Sequence, residues 1–329
     1  MPPRLGDHTA MKRVALGETG LMVPAIAVGT WAFGDARYWH YGEEHGPSDI
    51  VDAFVGAASV GCRFFDTAEV YGHGESEKIL GYLVEKLSAE LADEGRPADF
   101  FLATKFGLLP GRDGARALRP ALLASLRRLR RRRIDLHQIH WPDLAMASIP
   151  SLMDAMADAV EEGLVGAVGV SNFGASELRE AHRALARRGI PLASHQVRYN
   201  LLDRSVERDG VRDACRELGV SLLAYSPLDQ GVLGGRYDRE HVPSAPRGTE
   251  PWFSAEAWIK AEVVLTILRE IAAREGCEIA DVAIAWVLAQ GATPIVGVRS
   301  RAHAEAIPRA LDVRLRPSDI TRLDAATAG

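Results

Sequence analysis

Residues 136–172 read LHQIHWPDLAMASIPSLMDAMADAVEEGLVGAVGVSN, and their pattern decides the fold. Stretches 136–141 and 167–172 are short runs of strand character, while 151–162 between them places apolar residues three and four apart, as one face of a helix requires. A strand, a helix and another strand in this order form a parallel pair joined by a crossover helix. Outward from this unit, strand-like runs recur at 26–30, 62–68, 100–105, 194–199, 221–226 and 293–298, which brings the total to eight. Helical spacing recurs at 49–60, 75–87, 119–130, 176–188, 206–218, 261–275 and 302–311. Eight βα repeats select a closed (β/α)8 barrel, of the TIM type, over an open doubly wound sheet. The nearly continuous apolar character of the strands fits burial on both faces.

Before the first strand, 12–15 and 21–24 flank a Gly-Glu-Thr-Gly turn and read as an N-terminal β-hairpin placed to plug the barrel bottom. Two stretches break the rhythm. Residues 229–258, rich in Gly and Pro, read as a long loop after strand seven, and 279–290 as an extra helix before strand eight. Residues 1–10, MPPRLGDHTA, lack apolar periodicity and are expected to be a disordered tail, leaving 11–329 as one domain.

Composition narrows the function classes. With 329 residues, 47% hydrophobic and 25% charged, the chain has the profile of a globular protein. A formal charge of -5 gives no general attraction to nucleic acid or anionic lipid, so neither is an expected partner. The run 126–133 holds six arginines, but it ends one helix, where cations satisfy the dipole and the last carbonyls. Cys62, Cys215 and Cys277 lie far apart, so no disulfide framework and no metal knuckle is expected, and a cytoplasmic location is. A dinucleotide fingerprint is missing: the nearest match, Gly72-His73-Gly74, has Glu77 where the third glycine belongs.

The chemistry gathers at strand ends. Gly29-Thr30-Trp31, Asp66-Thr67, Lys105, His140, Ser171-Asn172, Gln196, Tyr225-Ser226 and Gly297 to Ser300 all converge at the C-terminal mouth of a barrel, where such folds keep their active sites. Tyr71 follows strand two. A tyrosine hydroxyl titrates near ~10, and a contacting ammonium lowers a neighbouring acid by ~1 to 3 units, so Lys105 is expected to bring Tyr71 into range as a general acid. Asp66 would hold Lys105 charged. His137 and His140 lie on opposite strand faces, and His137 is read as structural.

The segments FFDTAEVYGHGESE, LATK, IHWPD, VGVSNF, HQVRYN and AYSPLDQGVLGG resemble, in order and spacing, the aldo-keto reductases over nearly the whole chain. Within that family, WAFGDARYWHYG, GIPLASHQVRYNLL and GVRSRAHAEA are most similar to the plant-plastid and cyanobacterial branch. The resemblance implies that Asp66, Tyr71, Lys105 and His140 form a catalytic tetrad for NADPH-dependent reduction of aldehydes or ketones, with hydride from the nicotinamide and a proton from Tyr71. It implies cofactor contacts from Gly29, Thr30 and Trp31, from Ser171, Asn172 and Gln196 at the carboxamide, and from Tyr225 stacked on the ring. Ser226, Pro227, Leu228 and Arg236 would follow the pyrophosphate. Gly297, Arg299, Ser300, His303 and Arg247 would surround the 2′-phosphate. The family's usual Glu-Asn pair for adenine is Ala306-Ile307 here, a departure that leaves the adenine contacts unassigned.

Trp31, Tyr38, Trp39 and Trp141 are expected to line the substrate pocket, which suits planar, pyridoxal-like aldehydes. A sugar-aldehyde reductase is one alternative. Another is a nicotinamide-binding regulatory subunit resembling the potassium-channel β-subunits.

Overall fold

A computed structural model describes residues 11–327; the tail expected at 1–10 lies outside the described residues. Strands β1 (Arg13–Ala15) and β2 (Met22–Pro24) form an antiparallel hairpin. Its turn drives Leu16 into the barrel floor, where Leu16 and Val23 pack with Ala27, Phe64, Ala103, Leu136, Ala167, Leu223 and Ile295. The hairpin therefore plugs the bottom, as its position in the sequence suggests.

The barrel is built from β3 (Ala27–Gly29), β4 (Phe64–Asp66), β5 (Phe101–Phe106), β6 (Ile134–Ile139), β7 (Val165–Ser171), β8 (Leu192–Arg198), β9 (Ser221–Tyr225) and β10 (Thr293–Gly297). All neighbours pair parallel, and β10 closes on β3. Around them lie α1 (Pro47–Ser59), α2 (Glu75–Asp93), α3 (Leu118–Arg128), α4 (Ile149–Glu161) and α5 (Ala175–Ala186). They continue as α6 (Ser205–Arg208), α7 (Val211–Glu217), α8 (Ala255–Glu275), α9 (Ile279–Ala289), α10 (Arg301–Ala306) and α11 (Pro317–Ala326).

The floor layer determines what lies above it. Side chains two residues apart on a strand share a face, so on seven strands the position after next from the floor residue also lies on the barrel interior; β8 departs, since its floor residue Ala193 leads to His195, which meets Phe173 N and Cys215, while Gln196 faces Asp66. That rule takes Ala27 to Gly29, Phe64 to Asp66, Ala103 to Lys105, Leu136 to Gln138, Ala167 to Gly169, Leu223 to Tyr225 and Ile295 to Gly297. An apolar layer thus supports a polar one, which opens at the C-terminal mouth.

Several elements differ from the sequence reading. The helix expected at 206–218 is two, because Gly210 takes a left-handed φ of 78° between α6 and α7. The one expected at 302–311 ends at Ala306 and tightens into a 3₁₀ turn over Ile307–Leu311, where Pro308 has no N–H to continue the α pattern. The long loop ends early: Ser254 caps α8 by accepting from Ala257 N, and Trp258 is buried in that helix. Helix α2 extends to Asp93, and α11 was not foreseen; Arg274 of α8 fixes α11 through both carboxylate oxygens of Asp319, at 2.9 and 2.6 Å.

Candidate active site

Lys105 is fully buried, and its ammonium donates to Asp66 Oδ1 at 2.5 Å, to Thr67 O at 2.8 Å and to Tyr71 Oη at 3.2 Å. Asp66 Oδ2 accepts from the amide nitrogens of Gln196 at 2.9 Å and Gln138 at 3.3 Å. Tyr71 reaches this group from the 3₁₀ turn Tyr71–Gly74. There Gly72 sits at φ 55°, and a Cβ on it would fall 2.8 Å from Gly34 O, so no other residue fits. Just beyond the turn, Ser76 Oγ lies 2.9 Å from both Thr30 Oγ1 and Thr67 Oγ1 and donates to Thr30 O at 2.8 Å, locking the start of α2 to two strand ends.

Electrostatics assigns the protonation states. Burial disfavours the Lys105 cation, yet Asp66 and Tyr71 outweigh it, and the net shift is upward: the ammonium stays charged. For Tyr71, burial raises the pKa more than Lys105 lowers it, and Asp66 raises it further. Lys105 does draw this hydroxyl downward, as expected, but the net shift is upward, which corrects the expectation that it brings Tyr71 into a lower working range. Desolvation of the phenolate wins, and Tyr71 remains a protonated donor. Burial, aided by Lys105, holds His140 well below its ordinary value, so its ring is neutral. The His140 ring centroid lies 5.8 Å from that of Tyr71 and 4.4 Å from that of Trp141. His137, on the opposite face, is buried and pushed down to about 4 by desolvation.

The four residues expected as a tetrad thus meet in one place. The expected carboxamide contacts gather beside them. Asn172, at φ 59°, donates from Nδ2 to His140 O at 2.9 Å and Ser171 Oγ at 3.1 Å, and its Oδ1 accepts from Tyr225 Oη at 3.1 Å. Gln196 has committed its amide nitrogen to Asp66, which leaves its carbonyl oxygen as the end for a ligand.

The turn at Ser226, Pro227 and Leu228 continues into Asp229, which accepts from Arg198 and from Asn200 Nδ2, while Asn200 also donates to Ser226 O at 2.9 Å. Positive φ at His40, His73, Asn172, Ser226, Asp229 and Gln230 concentrates backbone strain around the mouth, as functional sites do.

A second cluster is cationic. Arg247 is 1% exposed and donates to Tyr237 Oη at 2.9 Å, while its Nε and Nη1 are buried without a partner. The guanidiniums of Arg247 and Arg299 lie 4.7 and 5.5 Å from the Trp39 ring, and Arg236 packs 5.7 Å from the Tyr237 ring. Burial, then Arg236 and Arg299, lowers the His303 pKa and keeps that ring neutral. Ser300 caps α10 by accepting from His303 N at 3.3 Å. A carboxylate also sits here: Glu44 meets Arg299 at 3.0 Å.

Among the aromatics, Trp31 stacks on Tyr38 at 4.6 Å and on Tyr71 at 5.8 Å, and its Nε1 donates to Asp35 at 3.0 Å. Tyr38 Oη reaches Gln230 Oε1 at 2.9 Å, bridging the first mouth loop to the loop after β9. Trp39 sits between Trp31 and Tyr38 on one side and Arg247 and Arg299 on the other. Gln138, Asp35, Glu44, Arg198 and Asp229 were not picked out from sequence. Of these only Gln138 carried a signal, since strand alternation puts it on the face of His140. The arginine run is partly paired internally, with Arg128 on buried Glu77 and Arg130 on Glu85. Among the described residues, no cluster of His, Cys, Asp and Glu fits a metal, and no helix is long and apolar enough to cross a membrane.

A parallel eightfold barrel with an Asp-Tyr-Lys-His group at its mouth defines a class of oxidoreductase. The chain belongs to the aldo/keto reductase family, whose pattern matches residues 25–328. It is 34% identical to the chloroplastic pyridoxal reductase of Arabidopsis thaliana over 331 residues, covering 99% of this chain and 88% of that one. It is 30% identical to the NADH-specific methylglyoxal reductase of Escherichia coli, covering 94% and 97%. The solved glycerol dehydrogenase AKR11B4 from Gluconobacter oxydans superposes with a TM-score of 0.82 at 26% identity, covering 97% and 96% of the two chains.

Proposed function

We propose that the protein reduces small planar aldehydes to alcohols with NADPH, using Asp66, Tyr71, Lys105 and His140. The observation that carries this reading is the Tyr71 hydroxyl held 3.2 Å from a charged ammonium that is itself paired with Asp66. A protonated donor beside a fixed cation is poised to protonate an oxygen on which negative charge develops, because the cation stabilises the resulting phenolate. Neutral His140 orients the carbonyl by hydrogen bonding.

The mouth residues fit a nicotinamide dinucleotide. Ser171, Asn172 and Gln196 offer amide and hydroxyl groups for a carboxamide, and Gly29, Thr30 and Trp31 border the same opening. Tyr225 offers a ring face, the 226–228 backbone a cradle, and Arg236, Arg247 and Arg299 a phosphate site beside Gly297, Ser300 and His303, with donors of Arg247 still unpartnered. When bound, the reduced nicotinamide supplies the hydride. Three free cysteines, two of them buried, fit a reducing compartment such as the cytoplasm.

Trp31, Tyr38 and Trp141 favour a flat substrate, in line with the relative named pyridoxal reductase. Two ring contacts at ~0.5 to 1.5 kcal/mol each give such aldehydes about one to two orders of magnitude in kcat/KM. Open-chain sugars gain little and leave hydroxyls unpaired. Nitrobenzaldehydes and pyridine carbaldehydes such as pyridoxal should therefore exceed glucose, xylose and glyceraldehyde when NADPH is saturating. A sugar aldehyde that matches the best aromatic one contradicts this substrate reading. Repeated turnover separates the enzyme from a regulatory nicotinamide-binding subunit. One observation favours NADH instead: Glu44 occupies Arg299, and the E. coli relative is named NADH-specific.

A further inference from the structure

Glu44 belongs to none of the groups that the family resemblance implies, yet it is built into the cationic cluster. Its carboxylate lies 3.0 Å from Arg299 Nη1 and 3.8 Å from Arg247 Nη2, and accepts from Ser244 Oγ at 2.8 Å. These partners come from distant segments, one after β10 and two in the loop after β9. The turn that delivers it is braced by its own hydrogen bonds. Glu43 N and Glu44 N donate to His40 O at 3.0 and 2.9 Å, Tyr41 N donates to Asp35 O at 3.1 Å, and His45 Nε2 lies 2.8 Å from Ala32 O.

The Trp39 ring packs beside both guanidiniums. Arg247 keeps two buried donors without an acceptor. The cluster therefore has donors left unmet for an anion, while one anion of the chain's own already holds part of it.

We propose that Glu44 sets how strongly the protein discriminates between phosphorylated and unphosphorylated nicotinamide dinucleotides, by holding Arg299 and Arg247 in competition with a 2′-phosphate. A phosphate on these arginines must share them with a carboxylate, and like charges at contact oppose each other. An unphosphorylated ribose brings a hydroxyl, which donates to the same carboxylate without penalty. This inference rests on the proposed reading that Arg299 and Arg247 face the 2′ end of the cofactor.

Calorimetric Kd values for NADP+, NAD+, adenosine 2′,5′-bisphosphate and 5′-AMP, on the native chain and on Glu44→Gln, test it. Glu44→Gln should tighten the two 2′-phosphorylated ligands by about tenfold and move the other two little. In a double-mutant cycle, Arg299→Gln should cost more NADP+ affinity in the Glu44→Gln background than in the native chain. Equal changes for all four ligands, no change, or strictly additive losses overturn the proposal while leaving the cofactor reading intact. A native chain that binds neither NADP+ nor NAD+ overturns both.

Discussion

Lys105 is a full charge with no solvent exposure, and such a group survives only when its partners replace water. Asp66, Thr67 O and Tyr71 do so with three acceptors in hydrogen-bonding distance. Removing one member of a buried pair leaves the other uncompensated, at ~3 to 5 kcal/mol. Lys105→Met should therefore lower the thermal or urea stability by roughly that amount and also abolish carbonyl reduction, since Tyr71 loses the cation that stabilises its phenolate. A Lys105→Met protein of native stability that reduces aldehydes at neutral pH would remove Lys105 from the account. Alternation on β5 was enough to see that Lys105 shares a face with Phe101 and Ala103. The direction of the Tyr71 shift was not legible, because it depends on how completely the surrounding elements exclude water.

At the level of elements, the site depends on where α2 begins and how closely it packs. Ser76 and Glu77 in its first turn are buried, Glu77 accepting from Thr104 Oγ1 and Arg128 Nε, both at 2.6 Å. Four residues past Glu77, Gly81 lets α2 touch the end of α3: a Cβ there would lie 2.5 Å from Arg128 O and 2.6 Å from the Leu129 backbone. Backbone cannot yield as a flexible side chain does, so Gly81→Ala should destabilise the fold by ~1 to 3 kcal/mol through overpacking. Chemical denaturation measures this, and a variant as stable as the parent would show that the two helices separate freely. Helix period made α2 and α3 readable, but not Gly81's role, which lies between two elements. Likewise Gly210 and Pro308 end helices through backbone geometry that an apolar pattern does not register.

Across the whole molecule, the count and order of strands and the layering of polar over apolar positions were legible, because both follow from local periodicity. The contacts that close the mouth were not: Tyr38 meets Gln230 192 residues away and Arg299 meets Glu44 255 residues away, and no local pattern encodes such pairs. Barrel closure makes them, by bringing β3 beside β10. Parallel pairing of the neighbouring strands β4, β5 and β6 places Asp66, Lys105 and His140, at or just past their C-terminal ends, around one point with Tyr71 from the turn after β4. Their joint action as a proton-donating group is the central claim, and Tyr71→Phe tests it most directly, since it deletes one oxygen from an otherwise intact site. With NADPH in excess and the best aldehyde of the panel, kcat/KM should fall by ~10²-fold or more while the Kd for NADPH stays nearly unchanged. Reduction by Tyr71→Phe within a few-fold of the parent rate would contradict the account.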